Sequence, residues 1–300
     1  MSQTATIRHD SKLSQFLLSF RQGWRVFRRN RMAVVCLGVL VFVALFCFVG
    51  PSFYHTNQNN VGALMGEMCS QPPSSKHPLG TDKTCFDMLG RLMVGGQNSF
   101  IVGILAASIA VTFGSLYGVT SGYRGGRVDS VMMRILDVLL SIPGLYLVLD
   151  AVALFGRNRA IMIAIIGLTG WYGVARLIRS ESLSLREREY VQAVRVMGGN
   201  TRRIMLKHIL PNSVSTMTTL ATFAIGDGIL ALAGLGYLGL GLVIPQTDWG
   251  TMLNTSFTAI LLNYWWQIWP VVILFLSVVI SFNYLGDAVR DALEVRLRER

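Results

Sequence analysis

The sequence predicts an all-α polytopic membrane protein with six transmembrane helices, and three observations carry that prediction. Hydrophobic residues make up 52% of the 300-residue chain and charged ones only 14%, with a mean hydropathy of +0.49. The apolar residues gather into runs near the ~20 residues that carry a helix across the hydrocarbon core. The Lys and Arg residues concentrate in every second loop, the bias that orients such spans in a membrane.

Residues 1–31 read as a cytoplasmic lead. Phe16, Leu17, Phe20, Trp24 and Phe27 recur there at three- and four-residue spacing with Arg between them, the stripe of a membrane-surface or packing helix. The first span, 32–50, is free of charge and is expected to end at Pro51. It is read as uncleaved, because its apolar run is long and no small-x-small cleavage site follows. Within it Cys36 and Cys47 read as small packing residues.

A polar external segment, 51–94, follows and holds Cys69 and Cys85. An oxidising exterior permits a disulfide between them. Further spans are expected at 99–123, 135–155, 161–174, 214–235 and 266–285. Of the 27 Lys and Arg, 22 fall before span one or after spans two, four and six; the rest are Lys76, Lys83, Arg91, Arg157 and Arg159. This places both termini on the cytoplasmic side. A net charge of +11 invites nucleic acid as a partner, but the aromatic residues sit in spans rather than among the Arg clusters. The partner that composition implies is membrane lipid.

Catalytic chemistry finds no support. No Gly-Lys dipeptide occurs, so no phosphate-binding G-x-x-x-x-G-K-[ST] loop exists, and Gly-x-Ser-x-Gly is missing. His9, His55, His77 and His208 have no ligand or triad spacing, and no Cys-x-x-Cys suggests a metal. The expectation is a non-enzyme with no metal and no cofactor of its own.

Acidic residues inside spans are costly and are candidates for function. Asp137 has Arg134 one turn away as an expected partner, whereas Asp150 and Asp227 sit deeper without one. Ser215, Thr219, Thr222 and Gly226 share one helical face, either lining a wet path or packing against another helix. With Asp227 and Asp150 they are the candidate pore and gating residues. Gly234, Gly236, Gly239 and Gly241 crowd the exit of span five, for packing or for a gate.

The segment after span four is the most distinctive. Between Arg176 and Pro211 it carries eight basic and three acidic side chains, so it must leave the bilayer. Glu187, Glu189, Tyr190, Gln192, Ala193 and Val194 suit a short helix that Gly198-Gly199 ends. A second segment, 200–209, then leads to Pro211, where the next helix starts. Gln192-Ala193-Val194, Gly198 and Leu210-Pro211 in this spacing resemble the coupling loop of ABC importer permeases.

More narrowly, the chain resembles the second permease subunit of dipeptide/oligopeptide (and nickel) importers. His77-Pro-Leu-Gly-Thr-Asp82, Gly122-Tyr-Arg-Gly-Gly-Arg-Val-Asp129, Met133-Arg-Ile-Leu-Asp137 and Ser141-Ile-Pro143 match that family in order. So do Tyr237-Leu-Gly-Leu-Gly241, Asp248-Trp-Gly-Thr-Met-Leu253 and the ending from Gly286-Asp287 to Arg290-Asp291. Departures are Gln192 and Val194 for the Glu and second Ala of the loop, His208 for Ile, Thr84-Cys85-Phe86-Asp87 after the first motif, and Leu232 for an acidic residue.

The resemblance implies a type I ABC importer permease fold in a bacterial inner membrane. It divides the chain into a lead (1–31), a first helix with its external loop (32–94), a permease core (95–287) and a tail (288–300). It implies a second homologous permease, two P-loop ATPase subunits that bind the ATP and Mg, and an extracytoplasmic substrate-binding protein. Glu189, Tyr190, Gln192, Ala193, Val194, Gly198, His208 and Pro211 would form the ATPase-coupling loop. The alternatives left open are a permease for nickel or haem, and a stand-alone proton-coupled transporter or channel using Asp150 or Asp227.

Overall fold

A computed structural model describes residues 27–54 and 68–298. The stripe Phe16, Leu17, Phe20 and Trp24 lies outside them, as do His9 and His55. Among the described residues the chain is helical, with a single isolated bridge between Thr81 and Asp87. Five helices are long and apolar enough to cross a membrane, and a bent pair supplies a sixth span.

The first helix, α1 (Arg31–Phe53), begins at Asn30, whose side chain accepts the Ala33 amide at 3.3 Å. Ala33, Cys36, Leu40, Val43 and Cys47 form its buried stripe, whereas Phe42 on the opposite side is 67% exposed. That is the division between a packed seam and a lipid face. Pro51 does not end the helix as expected but lies in its last turn. Having no N–H, it cannot bond the Cys47 carbonyl; Gln97 from the next helix takes that oxygen with Nε2 at 2.8 Å.

Between α1 and α2 (Met88–Arg124), residues 68–87 form a compact cap in which Cys69 and Cys85 are disulfide-bonded. Asp82 is the centre of the cap: one carboxylate oxygen accepts the amides of Thr84 and Phe86 at 2.8 and 3.0 Å. Its other oxygen faces Nε of the buried Arg91 at 3.3 Å, and the guanidinium lies over the Phe86 ring. Asp87 caps α2 by accepting the Gly90 amide at 2.9 Å. Burial pushes the Asp87 carboxyl above its ordinary range, against the lowering effect of the Gly90 amide and of His77. The cap is pinned to the far end of the chain as well, since Gln267 donates to the Thr81 carbonyl at 3.1 Å.

A disulfide across a separation of 16 residues restrains the open loop by ~3 kcal/mol. Cys85→Ser should therefore leave the spans intact while trypsin cleavage after the exposed Lys83 accelerates about tenfold or more. Unchanged cleavage would mean that the Asp82 network alone holds the cap.

The third expected span is not a straight helix. Gly125 and Gly126, at φ 62° and 54°, turn the chain out of α2. Then α3 (Gly126–Ser141) and α4 (Gly144–Phe155) meet at a 79° bend. Apolar content runs unbroken through the bend, so hydropathy reads one span there. Pro143, however, drives Ile142 to an extended backbone, φ −87° and ψ 124°, where no helix continues.

The fourth span is longer than the apolar run suggests: α5 (Arg159–Arg186) continues 12 residues beyond Val174. Its basic residues meet acids of neighbouring segments, so the charged stretch stays helical. After it come α6 (Glu189–Val196) and α7 (Thr201–Ile204). The chain then passes through one widened and one tightened turn, Met205–Ile209 and Leu210–Ser213, into α8 (Val214–Tyr237). Pro211 is thus not the start of a separate helix as expected but part of an irregular, unbroken helical path. The proline ring collides with the carbonyl four residues back, and the ladder shifts register instead of stopping.

Between α8 and α10 (Trp265–Arg298) lies α9 (Trp249–Leu261), unforeseen because 13 residues are too few for a span. It is anchored by Asp248, fully buried, which accepts the Thr251 and Leu242 amides at 2.9 and 3.0 Å. Burial raises this carboxyl above its ordinary range, and those bonds oppose the rise. Gly236 and Gly241 leave no room for a Cβ beside Asp248 and Thr251, so those two glycines of the exit serve packing. Trp249 then fills the core edge-on to Phe100 at 5.9 Å, its indole N–H donating to the Leu92 carbonyl.

Candidate functional site

Residues 187–213 form a bracket at the end of the bundle opposite the disulfide cap. Arg188 turns extended, φ −68° and ψ 140°, and α6 starts after it. Gln192 reaches back to donate Nε2 to the Glu187 carbonyl at 3.1 Å, tying the short helix to the end of α5. One side of α6 is sunk into the protein. Val191, 1% exposed, joins Ile178, Ile204 and Ile209 in an apolar cluster, with the partly buried Val194 beside it. Eight residues make no stable helix alone, but full burial of a Val contributes ~1.5–3 kcal/mol and seats this one.

The other side of α6 faces away. Glu189, Tyr190, Gln192 and Ala193 are exposed, and the helix ends in Val196 and Met197, 88% and 77% exposed. Two large apolar side chains are thus left uncovered side by side at the tip of a charged helix. The sequence reading missed both. Their signal was present, since they follow Val191 and Val194 out of register with that buried face.

The two glycines divide the work after α6. Gly198 sits at φ 82° with open space around it, so it is required by conformation. At Gly199 a Cβ would meet Cγ1 and the carbonyl oxygen of Val194 at 2.7 Å each, so it is required by space. His208 is half-buried in the widened turn, and Pro211 is exposed just beyond it. Asn212 donates its side-chain amide to the His208 carbonyl.

The bracket is wired to the root of α3. Arg186 donates to the Gly122 carbonyl at 3.3 Å. Arg179 holds Asp129 through Nε and Nη2 at 2.6 and 2.5 Å, and the Ser121 hydroxyl donates to the same carboxylate. Asp137 does not pair with Arg134 as expected. Arg176, on the facing helix α5, takes it at 2.6 Å, and both groups are more than half exposed, so this pair contributes only ~0–1 kcal/mol.

A cavity of about 490 Å³ lies between α2, α4, α5 and α8. Its wall is mostly small and aliphatic, with Ala106, Ala110, Val148, Gly170 and Ala224 among its members, and Asp227 is its one ionisable lining residue among the described residues. Ser215, Thr219 and Thr222 do not line it. They lie on the α8 face that carries Gly226, where a Cβ would meet the Phe282 Cβ at 3.2 Å, so this is a packing face. The Thr219 and Thr222 hydroxyls donate to carbonyls one turn back, Ser215 and Thr218. Asp150 is exposed on α4 and is not brought to Asp227.

Comparison with known proteins places these features in a family. Residues 99–299 match the model of the binding-protein-dependent transport system inner membrane component. Residues 19–73 match the N-terminal transmembrane domain of oligopeptide transport permease C. The chain is 35% identical to the dipeptide transport system permease protein DppC of Bacillus subtilis over 282 residues, covering 94% of this chain and 87% of that one. It is 36% identical to the oligopeptide transport system permease protein OppC of Haemophilus influenzae, covering 96% and 93%. To the OppC of Escherichia coli K12 it is 38% identical, covering 91% and 90%. Together with the six apolar spans, these matches show that the chain belongs to the family of binding-protein-dependent transport system inner membrane components and is a multi-pass membrane protein.

Proposed function

We propose that the chain is the pore-forming permease subunit of an ATP-driven ABC importer of dipeptides or oligopeptides. The observation that carries this reading is α6, rigidly seated by Val191 and presenting Ala193, Val196 and Met197 outward. The relatives' names supply the cargo. An ATPase gripping that tip moves α6 and α5 together, because Gln192 bonds the Glu187 carbonyl at the end of α5. Arg186 and Arg179 then carry the displacement to the root of the bent pair α3–α4.

In this reading the chain hydrolyses nothing. Two P-loop ATPases bind the ATP and Mg, a second six-span permease completes the pore, and an external binding protein delivers cargo. Both termini lie on the ATPase side, where the basic residues concentrate. The cavity that Asp227 lines is read as part of the translocation path. The proton-coupled alternative, with Asp150 or Asp227 as its acid, leaves the seating of α6 and its uncovered tip without a role.

Gentle extraction of the C-terminally tagged chain from its native membrane tests the assembly. A P-loop ATPase and a second six-span permease should co-purify. A lone chain or homo-oligomer, in detergent that preserves a known importer, would overturn the reading.

A further inference from the structure

Asp227 is an acid without a counter-charge. It makes no hydrogen bond or ion pair with any described residue, and it stands in a span. Among the described residues the only other polar side chain in the cavity wall is Thr169, whose hydroxyl is spent on the Ile165 carbonyl at 2.9 Å. Asp227 is itself exposed at this surface of the chain, and the remaining residues lining the cavity are aliphatic, aromatic or glycine, Phe223, Leu220 and Gly228 among them. A carboxylate in such surroundings is stabilised by a cation that enters with its own charge. The cavity is closed on one side by α4, beyond the Pro143 bend, and its 490 Å³ is small-ligand size.

We propose that this cavity is a cation subsite for cargo, in which Asp227 receives a primary ammonium group of the passing peptide and disfavours an extra carboxylate. The inference rests on the importer reading and goes beyond it. It makes this chain, and not only the delivering protein, a determinant of cargo charge. The chemistry is a side-chain ammonium of the cargo against a carboxylate, since all three test peptides share the same amino terminus.

The test uses the complete transporter in proteoliposomes, with its binding protein, ATPases and sister permease. Uptake of Lys-Ala-Ala, Ala-Ala-Ala and Glu-Ala-Ala is measured for the natural chain, Asp227→Asn and Asp227→Glu. Because the binding protein is the same throughout, its own preference cancels from the comparison between variants. Losing a charge-assisted hydrogen bond should lower the Lys-to-Glu cargo ratio about tenfold in Asp227→Asn, whereas Asp227→Glu keeps the natural ratio. Should Asp227→Asn fail to assemble, Asp227→Ser carries the same expectation. An unchanged ratio, even with every rate reduced, would overturn the subsite and assign Asp227 to structure or to pairing with the sister subunit. Equal values of the ratio for Glu and Asn at position 227 would overturn it too. If the natural chain moves none of the three peptides, the importer reading itself falls, and the subsite with it.

Discussion

Met197→Asp should leave the chain inserted and folded while weakening its hold on the ATPase about 30-fold or more. Its side chain is 77% exposed, and exposed substitutions away from special features shift stability within about ±0.5 kcal/mol. A docked apolar tip is another matter. Anchors at the centre of an interface carry ~2 kcal/mol or more each, about 30-fold in affinity, and a carboxylate there adds the cost of burying a charge. Ala193→Asp tests the same surface one turn earlier. Gly198→Asp combines two effects, because φ 82° costs an L-residue with a Cβ ~1–2 kcal/mol before any partner arrives. The paired measurements are thermal unfolding of the purified chain and co-purification of the ATPase. Full ATPase retention by both Met197→Asp and Ala193→Asp would exclude α6 as the coupling element.

Gly118→Val should be among the most damaging single substitutions in the chain. Gly114, Gly118 and Gly122 recur every fourth residue on α2 and face the backbone of α5 with no side chain of their own. A Cβ at Gly114 would meet the Trp171 carbonyl oxygen at 2.8 Å. At Gly118 it would meet the Ala175 carbonyl oxygen at 2.5 Å and the Arg179 amide at 2.9 Å, and at Gly122 the Arg179 carbonyl oxygen at 2.7 Å. Backbone atoms of a packed helix have no rotamer to escape into, so α2 and α5 must separate. Lipid supplies no hydrophobic force to close the gap, because helix association in membranes rests on close packing. Overpacking costs ~1–3 kcal/mol and sometimes more, and here we expect the upper end, seen as loss of monodisperse protein and a lowered melting temperature. Gly234→Ala, where nothing lies within 4 Å of the added carbon, should be neutral or stabilising by up to ~1 kcal/mol. Natural yield and melting for Gly118→Val would show that the two helices do not sit this close. The clash also falls on the Arg179 backbone, so a surviving Gly118→Val protein should lose the Asp129 pairing at the root of α3.

Much of the architecture was legible because the bilayer imposes a coarse code. Apolar runs near 20 residues have few other uses, and the loop charge bias adds a second, independent reading. What hydropathy misses is direction. Pro143 sits in unbroken apolar sequence, and only the conformational limits that proline places on itself and on Ile142 reveal that the span bends. Glycine spacing at 114, 118 and 122 was also in plain view, but a four-residue repeat names a close face without naming which helix meets it. The loop at 187–213 was legible through its resemblance and its charge. Its tip was not, because whether Val196 and Met197 point into the protein or out of it depends on where Val191 is seated.

By itself the sequence determined the membrane setting, the number of spans, the charged segment after span four and the lack of a phosphate-binding loop. These follow from composition and local chemistry, which need no partner to be defined. Only the tertiary structure decided which charges meet, and those decisions are long-range. Asp129 finds Arg179 fifty residues away, Asp137 takes Arg176 over its helical neighbour Arg134, and Asp227 finds no partner among the described residues. A charge in a low-dielectric setting is governed by whatever lies within a few ångströms, and those neighbours exist only once the helices have packed.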